Sequence, residues 1–146
     1  MSKYGKYLLI PLSLLVGLMI YLGWRDTSHP FYRKAVSLGW ASEVDHFRAT
    51  AGSVAMPAWF VYSLPDGLWM FAFVLFMLVL WDFRFAGQGK FWIVVAMIAG
   101  ISIEISQGLT SGMGSFDWVD MLWIMLGAVL PVLLFTNKNK SYEKVY

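Results

Sequence analysis

The chain has 146 residues, enough for one domain, with hydrophobic residues at 59% and charged residues at only 14%. Soluble domains carry about 25% charged residues, so this composition excludes a surface facing water on all sides. A net charge of +2 gives no sign of nucleic-acid binding, and the absence of cysteine removes disulfides, thiolate nucleophiles and cysteine metal sites.

The first apolar stretch covers 7–23 and contains no charge. Lys3 and Lys6 precede it, as in a signal peptide, but its end (Tyr-Leu-Gly-Trp-Arg-Asp) lacks a small-x-small cleavage pattern, so an uncleaved anchor is expected. The connection that follows, 24–63, is too long for a structureless loop in a compact protein. Within it Val36, Trp40, Val44, Phe47, Ala51 and Val54 recur at steps of three and four, with Arg33, Lys34, Glu43, Asp45 and Arg48 between them. That pattern predicts one amphipathic helix over 30–52, opened by Ser28 and Pro30 and closed near Gly52 and Pro57. Such a helix either lies along the outer membrane surface or packs over the end of the bundle. His29 and His46 share no helical spacing and are expected on the solvated surface, and 58–62 is expected to skim the interface.

Three more apolar stretches follow at 66–82, 91–108 and 118–135. A bilayer core needs roughly 20 apolar residues in a helix, with about 17 as the lower limit. Helices are the expected form, because an open sheet leaves backbone groups unpaired in lipid. Trp24, Trp69, Trp81, Trp92 and Trp118 fall at stretch ends, where interfacial aromatics belong, whereas Trp123 falls inside one. The expected architecture is all-α: a single membrane domain of four transmembrane helices with an amphipathic helix in the first extracytoplasmic loop.

Basic residues set the orientation. Lys3 and Lys6, then Arg84 and Lys90, then Lys138, Lys140 and Lys144 all fall on one side of a four-span arrangement. The connection between the third and fourth spans has no Lys or Arg. Positive charge is retained in the cytoplasm, so both termini are expected there, in the cell membrane. Arg25, Arg33, Lys34 and Arg48 of the long first loop are balanced by Asp26, Glu43, Asp45 and Asp66.

That topology gathers polar residues. The second span begins near Asp66, the third ends just after Glu104 and Gln107, and the fourth begins around Asp117 and Asp120, all at the outer side. Asp66 can cap the second span, and Asp117 and Asp120 form an Asp-x-x-Asp start to the fourth that suits the positive helix end. Glu104 is different. It sits in the last turns of a span, where the helix dipole disfavours a carboxylate. A charge inside a span costs roughly 2.5–3.5 kcal/mol at the centre and less near the end. Gln107 shares its face, and Gly100 and Gly108, four residues away on either side, leave room for another helix to approach. Asp66, Glu104, Gln107, Asp117 and Asp120 are therefore the candidate ligand-binding residues, with Glu104 either functional or a structural, hydrogen-bonded acid.

In order, these residues read Leu64-Pro65-Asp66, Glu104-x-x-Gln107, Gly114-Ser115-Phe116-Asp117-x-x-Asp120 and Gly127. The series resembles the VanZ-like family of small membrane proteins, over less than half the chain. The resemblance implies a cell-envelope protein related to resistance against lipid-linked glycopeptide antibiotics, and carries over Asp66, Glu104, Gln107, Asp120 and Gly127. The chain departs from the family pattern where a Lys is common (Gly67), where a His usually follows (Met70), where a basic residue often precedes the last motif (Gly114) and where an Asn follows the last Asp (Ile124).

Three functions fit these residues. One is an envelope- or lipid-associated protein whose outer acidic cluster binds a lipid headgroup or envelope ligand; a cationic or hydroxyl-rich group suits it, with Arg25, Arg33, Lys34 and Arg48 available for phosphate. Another is a membrane enzyme using paired carboxylates, or a hard divalent cation on Asp66, Glu104, Asp117 and Asp120. No nucleophile motif, phosphate loop or His-based metal pattern accompanies them. The third is a structural or assembly subunit whose polar groups are satisfied by membrane-protein partners or by a second copy. No cofactor is indicated.

Overall fold

A computed structural model describes residues 3–109 and 117–136, and within them the chain is all-α, with seven helices. In order these are α1 (Lys3–Trp24), α2 (Pro30–Ser37), α3 (Ala41–Ala51), α4 (Ala58–Tyr62), α5 (Leu64–Leu80), α6 (Gly87–Leu109) and α7 (Trp118–Phe135). Three of them contain segments long and apolar enough to cross a membrane: Gly5–Trp24, Gly87–Ser106 and Trp118–Phe135. Their outer faces carry apolar side chains with no cover, such as Leu8, Ile98 and Leu133, the last 70% exposed. Lys138, Lys140 and Lys144, on which part of the expected orientation rests, lie outside the described residues, as does the Gly114-Ser115-Phe116 segment.

The shortest apolar helix is the central one. At 17 residues, α5 extends about 25 Å, somewhat less than a bilayer core of roughly 30 Å. It packs on α1, α4, α6 and α7 and buries Gly67, Ala72, Val74, Leu75 and Leu78. The α5–α7 crossing is closest where two glycines meet. A Cβ on Gly127 would fall on the Gly67 carbonyl oxygen, and a Cβ on Gly67 would stand 2.8 Å from the Trp123 carbonyl. Without side chains at these two positions the backbones approach directly, the usual device for helix association in lipid. At the far end of the bundle, Asp82 and Phe83 take successive left-handed conformations (φ 52° and 59°) and turn the chain toward α6. Phe83 is thereby buried beside Tyr7, under the Lys6 ammonium.

The first loop corrects one expectation. The amphipathic segment 30–52 is two helices rather than one, broken at Gly39. The Gly39 N–H bonds to the Val36 carbonyl and the Trp40 N–H to the Ala35 carbonyl, the paired bonds of a Schellman ending, with Gly39 at φ 87° supplying the left-handed residue. Of the periodic residues, α3 buries Val44 and Ala51, whereas α2 buries Ala35 and leaves Val36 exposed. The pair packs over the bundle end: Phe47 meets Trp24 edge-on, and Gly23 accepts Phe47 and Ala51. Arg48 donates to the Leu22 carbonyl at 2.7 Å, satisfying one of the carbonyls the end of α1 leaves open. Trp40 remains 60% exposed, beside the exposed Val36 and Leu38.

Candidate functional site

Four helix ends meet at one end of the bundle and enclose a cavity of about 800 Å³. The end of α1 brings Tyr21 and, just beyond it, Arg25; the start of α5 brings Asp66 and Trp69. The last turns of α6 bring Gly100 and Glu104, and the start of α7 brings Asp117 and Asp120. Each helix supplies its side chains at steps of three or four, so one face of each lines the space. Of the residues singled out in the sequence, Asp66, Glu104, Asp117 and Asp120 thus share a wall. Gln107 belongs to α6, but its side chain lies outside the described part of the structure, as does Gly108.

The acids are held differently. Asp117 is the N-cap of α7 and accepts the Val119 N–H at 2.8 Å, as helix-start chemistry anticipates. Asp66 does not cap α5, whose N-cap is Ser63; its Oδ1 instead accepts the Tyr21 hydroxyl at 2.9 Å. Asp120 has a buried Oδ1 without a partner. Glu104 is 5% exposed, and its Oε2 has no hydrogen-bond partner. Ser63 is 1% exposed and its hydroxyl is likewise unpartnered. Buried polar atoms are ordinarily paired, because an unmet one costs roughly 1–3 kcal/mol. With the Trp69 indole Nε1, four such atoms line this one cavity.

Tyr21 and His29 join the site from positions the sequence did not single out for it, together with Arg25, one of the first-loop cations considered for phosphate. The Tyr21 ring stacks on Trp69 at 5.2 Å between centroids and lies 4.5 Å from His29. Arg25 lies over the rings of Tyr21 and Tyr62 and donates to the carbonyls of Val61 and Tyr62, pinning α4 to the end of α1. His29 is half-buried on the cavity wall rather than solvated, and caps α2 by accepting the Phe31 N–H. Burial first, and then the neighbouring Arg25 charge, hold its imidazole below the ordinary range. His46 is exposed, as expected. Of the four first-loop cations considered for phosphate, Arg25 reaches the cavity; Arg48 is spent on Leu22 and the Tyr32 ring, while Arg33 and Lys34 are exposed. A signal was present: Gly17 and Tyr21 stand four apart on one face of α1, with Arg25 just past its end; Gly17 makes room for the Trp69 indole, and the Tyr21 hydroxyl donates to Asp66.

The cavity floor is apolar. Met70, Ile124 and Phe73 line it, and Met70 and Ile124 meet at Gly100. Among the described residues no three His, Asp or Glu side chains converge closely enough to hold a metal ion, so the acids stand around the wall rather than about a point.

The helices and this cavity define a class: an all-helical protein, multi-pass in a membrane by the length and composition of its helices, with an acidic chamber at one end. Comparison with known proteins takes the chain no further, since no family model, no curated protein and no solved structure matches it.

Proposed function

We propose that this protein binds a lipid headgroup or a related envelope ligand in the acidic cavity, from the extracytoplasmic face of a cell membrane. In this reading α5 is a fourth crossing, extended by α4 and Ser63, and both chain termini are cytoplasmic. The cavity then lies at the outer interface, where headgroups are found. The observation that carries the reading is Glu104, a carboxylate buried in a span with one oxygen unpartnered and an open chamber before it. Intramembrane ionisable residues are costly and usually mark sites. Four acids against one arginine favour a cationic or hydroxyl-rich group. The VanZ-like resemblance fits this reading, because Asp66, Glu104 and Asp120 line the cavity and Gly127 forms the glycine contact between the helices that carry Asp66 and Asp120. The departures at Met70 and Ile124 are also both in the cavity, where they replace the family's polar partners with an apolar floor.

The test is a comparison of Glu104→Gln and Glu104→Ala. Lipid retained through detergent purification is measured by native mass spectrometry, alongside membrane abundance. The proposal expects both variants to insert at wild-type abundance and to lose the retained lipid. A purely structural acid predicts that Gln behaves as wild type while Ala is depleted from the membrane, and that result, or wild-type behaviour of both, removes the proposal.

A further inference from the structure

The acidic cavity does not end at its floor. Phe73 of α5 and Ala96 of α6 belong both to its wall and to a second, apolar furrow of about 470 Å³ between the same helices. Met77, Trp81, Trp92 and Val95 complete the furrow. It exists because the seams of the bundle are unequal. The α5–α7 seam closes through Gly67 and Gly127, whereas α6 packs far less extensively on α5 and buries the least of the three long helices.

We infer that cavity and furrow form one site for a single phospholipid with a primary-amine headgroup: its head among the carboxylates and one hydrocarbon chain along the α5–α6 furrow. The inference rests on the proposed reading of the cavity and names the ligand class. Depth is the first argument. Glu104 and Trp92 are twelve residues apart on α6, about 18 Å along the helix. The furrow therefore runs from the level of the acids to Trp81 and Trp92 at the opposite end of the crossing, long enough for an extended hydrocarbon chain. Continuity is the second: a chain leaving the polar chamber passes Phe73 and Ala96 without crossing a polar wall. Headgroup chemistry is the third. Glu104 Oε2 and Asp120 Oδ1 lack hydrogen-bond donors, which an ammonium N–H supplies and a quaternary amine does not. The Tyr21 and Tyr62 rings, which would otherwise attract a quaternary amine, are already covered by Arg25. That guanidinium, also a lining residue of the cavity, suits the phosphate of the same zwitterion.

The experiment titrates the delipidated full chain with dioleoyl phosphatidylethanolamine, dioleoyl phosphatidylcholine and soluble glycerophosphoethanolamine, read by native mass spectrometry. Phosphatidylethanolamine is expected to bind at least tenfold more tightly than either of the others. Ala96→Trp, which fills the junction, should weaken it at least tenfold, while Ile98→Trp, on the 56% exposed outer face of α6, should not. A series of lyso-phosphatidylethanolamines on the unsubstituted protein gives the same information without a substitution: affinity should rise with chain length until the furrow is full. Equal binding of the two diacyl lipids, with Ala96→Trp and Ile98→Trp alike, means annular lipid only and overturns the inference. Glycerophosphoethanolamine binding as tightly as the lipid, and lost in Glu104→Gln, leaves the cavity reading standing and removes the furrow. Binding of every probe unchanged in Glu104→Gln removes both.

Discussion

Replacing Gly127 with alanine sets two effects against each other, and the geometry decides which wins. Alanine is the better helix former by about 0.8–1.0 kcal/mol, which alone would stabilise α7. Its Cβ, however, would fall on the Gly67 carbonyl oxygen, 3.0 Å from the Gly67 carbonyl carbon and 3.1 Å from the Met70 Cβ. None of these atoms can move by a side-chain rotation, so relief requires α5 and α7 to part along the seam that buries Ile124, Gly127, Ala128 and Pro131. Overpacking of this kind typically costs 1–3 kcal/mol. The net expectation is a loss of up to about 2 kcal/mol, with Asp66 and Asp120 drawn apart because they flank the same seam. Gly100→Ala is the matched control. Its Cβ would meet the Met70 Cε at 3.3 Å and the Ile124 methyls at 3.3 and 3.7 Å, and the methionine tip can swing away. Thermal unfolding of both variants in one detergent should show Gly127→Ala clearly below wild type and Gly100→Ala close to it or above. Equal stability of the two would refute the argument that backbone contact between α5 and α7 holds the site together.

Three further expectations follow from the site. Tyr21→Phe keeps the ring on Trp69 but removes the hydroxyl that Asp66 accepts, and should cost roughly 1–3 kcal/mol in thermal unfolding; no change would show that water replaces the hydroxyl without loss. The folded protein holds His29 below its ordinary range, so the unfolded chain binds that proton more readily, and the stability contributed by neutral His29 is complete above about pH 6.5 and declines as pH falls from there. His29→Asn, which keeps a side-chain acceptor for α2, should flatten that decline in unfolding measured between pH 5 and 7; an unchanged profile would assign it to other groups. The chain has no cysteine, so single cysteines at Ser53 and Gln88, both exposed, can be labelled cleanly. A membrane-impermeant maleimide should reach Ser53→Cys but not Gln88→Cys in intact cells, and the opposite pattern inverts the proposed topology.

The long helices were legible because lipid-facing and buried residues alike are apolar, leaving a hydropathy signal that needs no knowledge of packing. Glu104 was legible for the converse reason, as the charge such a stretch does not tolerate without cause. Tyr21 and Trp69 were not. An aromatic residue near a span end reads as an interfacial anchor, and only the pairing of Trp69 with Gly17 across α1 and α5 shows that it turns inward. His29 looked solvated because its burial comes from Tyr21 and Phe31, one of them eight residues back on α1. The break at Gly39 was written in the sequence, as a glycine between two periodic runs, but the hydrophobic period continued through it in phase. The period held in α3, which buries Val44 and Ala51, but not in α2, where Ala35 is buried and the periodic Val36 is exposed.

The unequal seams of the bundle also bear on what a bound ligand would do to its stability. α1, α5 and α7 form the tightly packed body; Tyr21 engages Asp66 and Arg25 the α4 carbonyls, while Asp120 Oδ1 on α7 is unpartnered like Glu104. Glu104 rides on α6, the helix with the least buried surface of the three long ones. On the proposed reading, a ligand amine that bonds Glu104 on one side and the α5 or α7 acids on the other would tie the loosest helix to the rest. Ligand that binds only the assembled bundle stabilises it by mass action, about 2.7 kcal/mol at a hundred times its dissociation constant. On the proposed reading, the unpartnered Glu104 oxygen and the open seam beside it would both be met by one ligand.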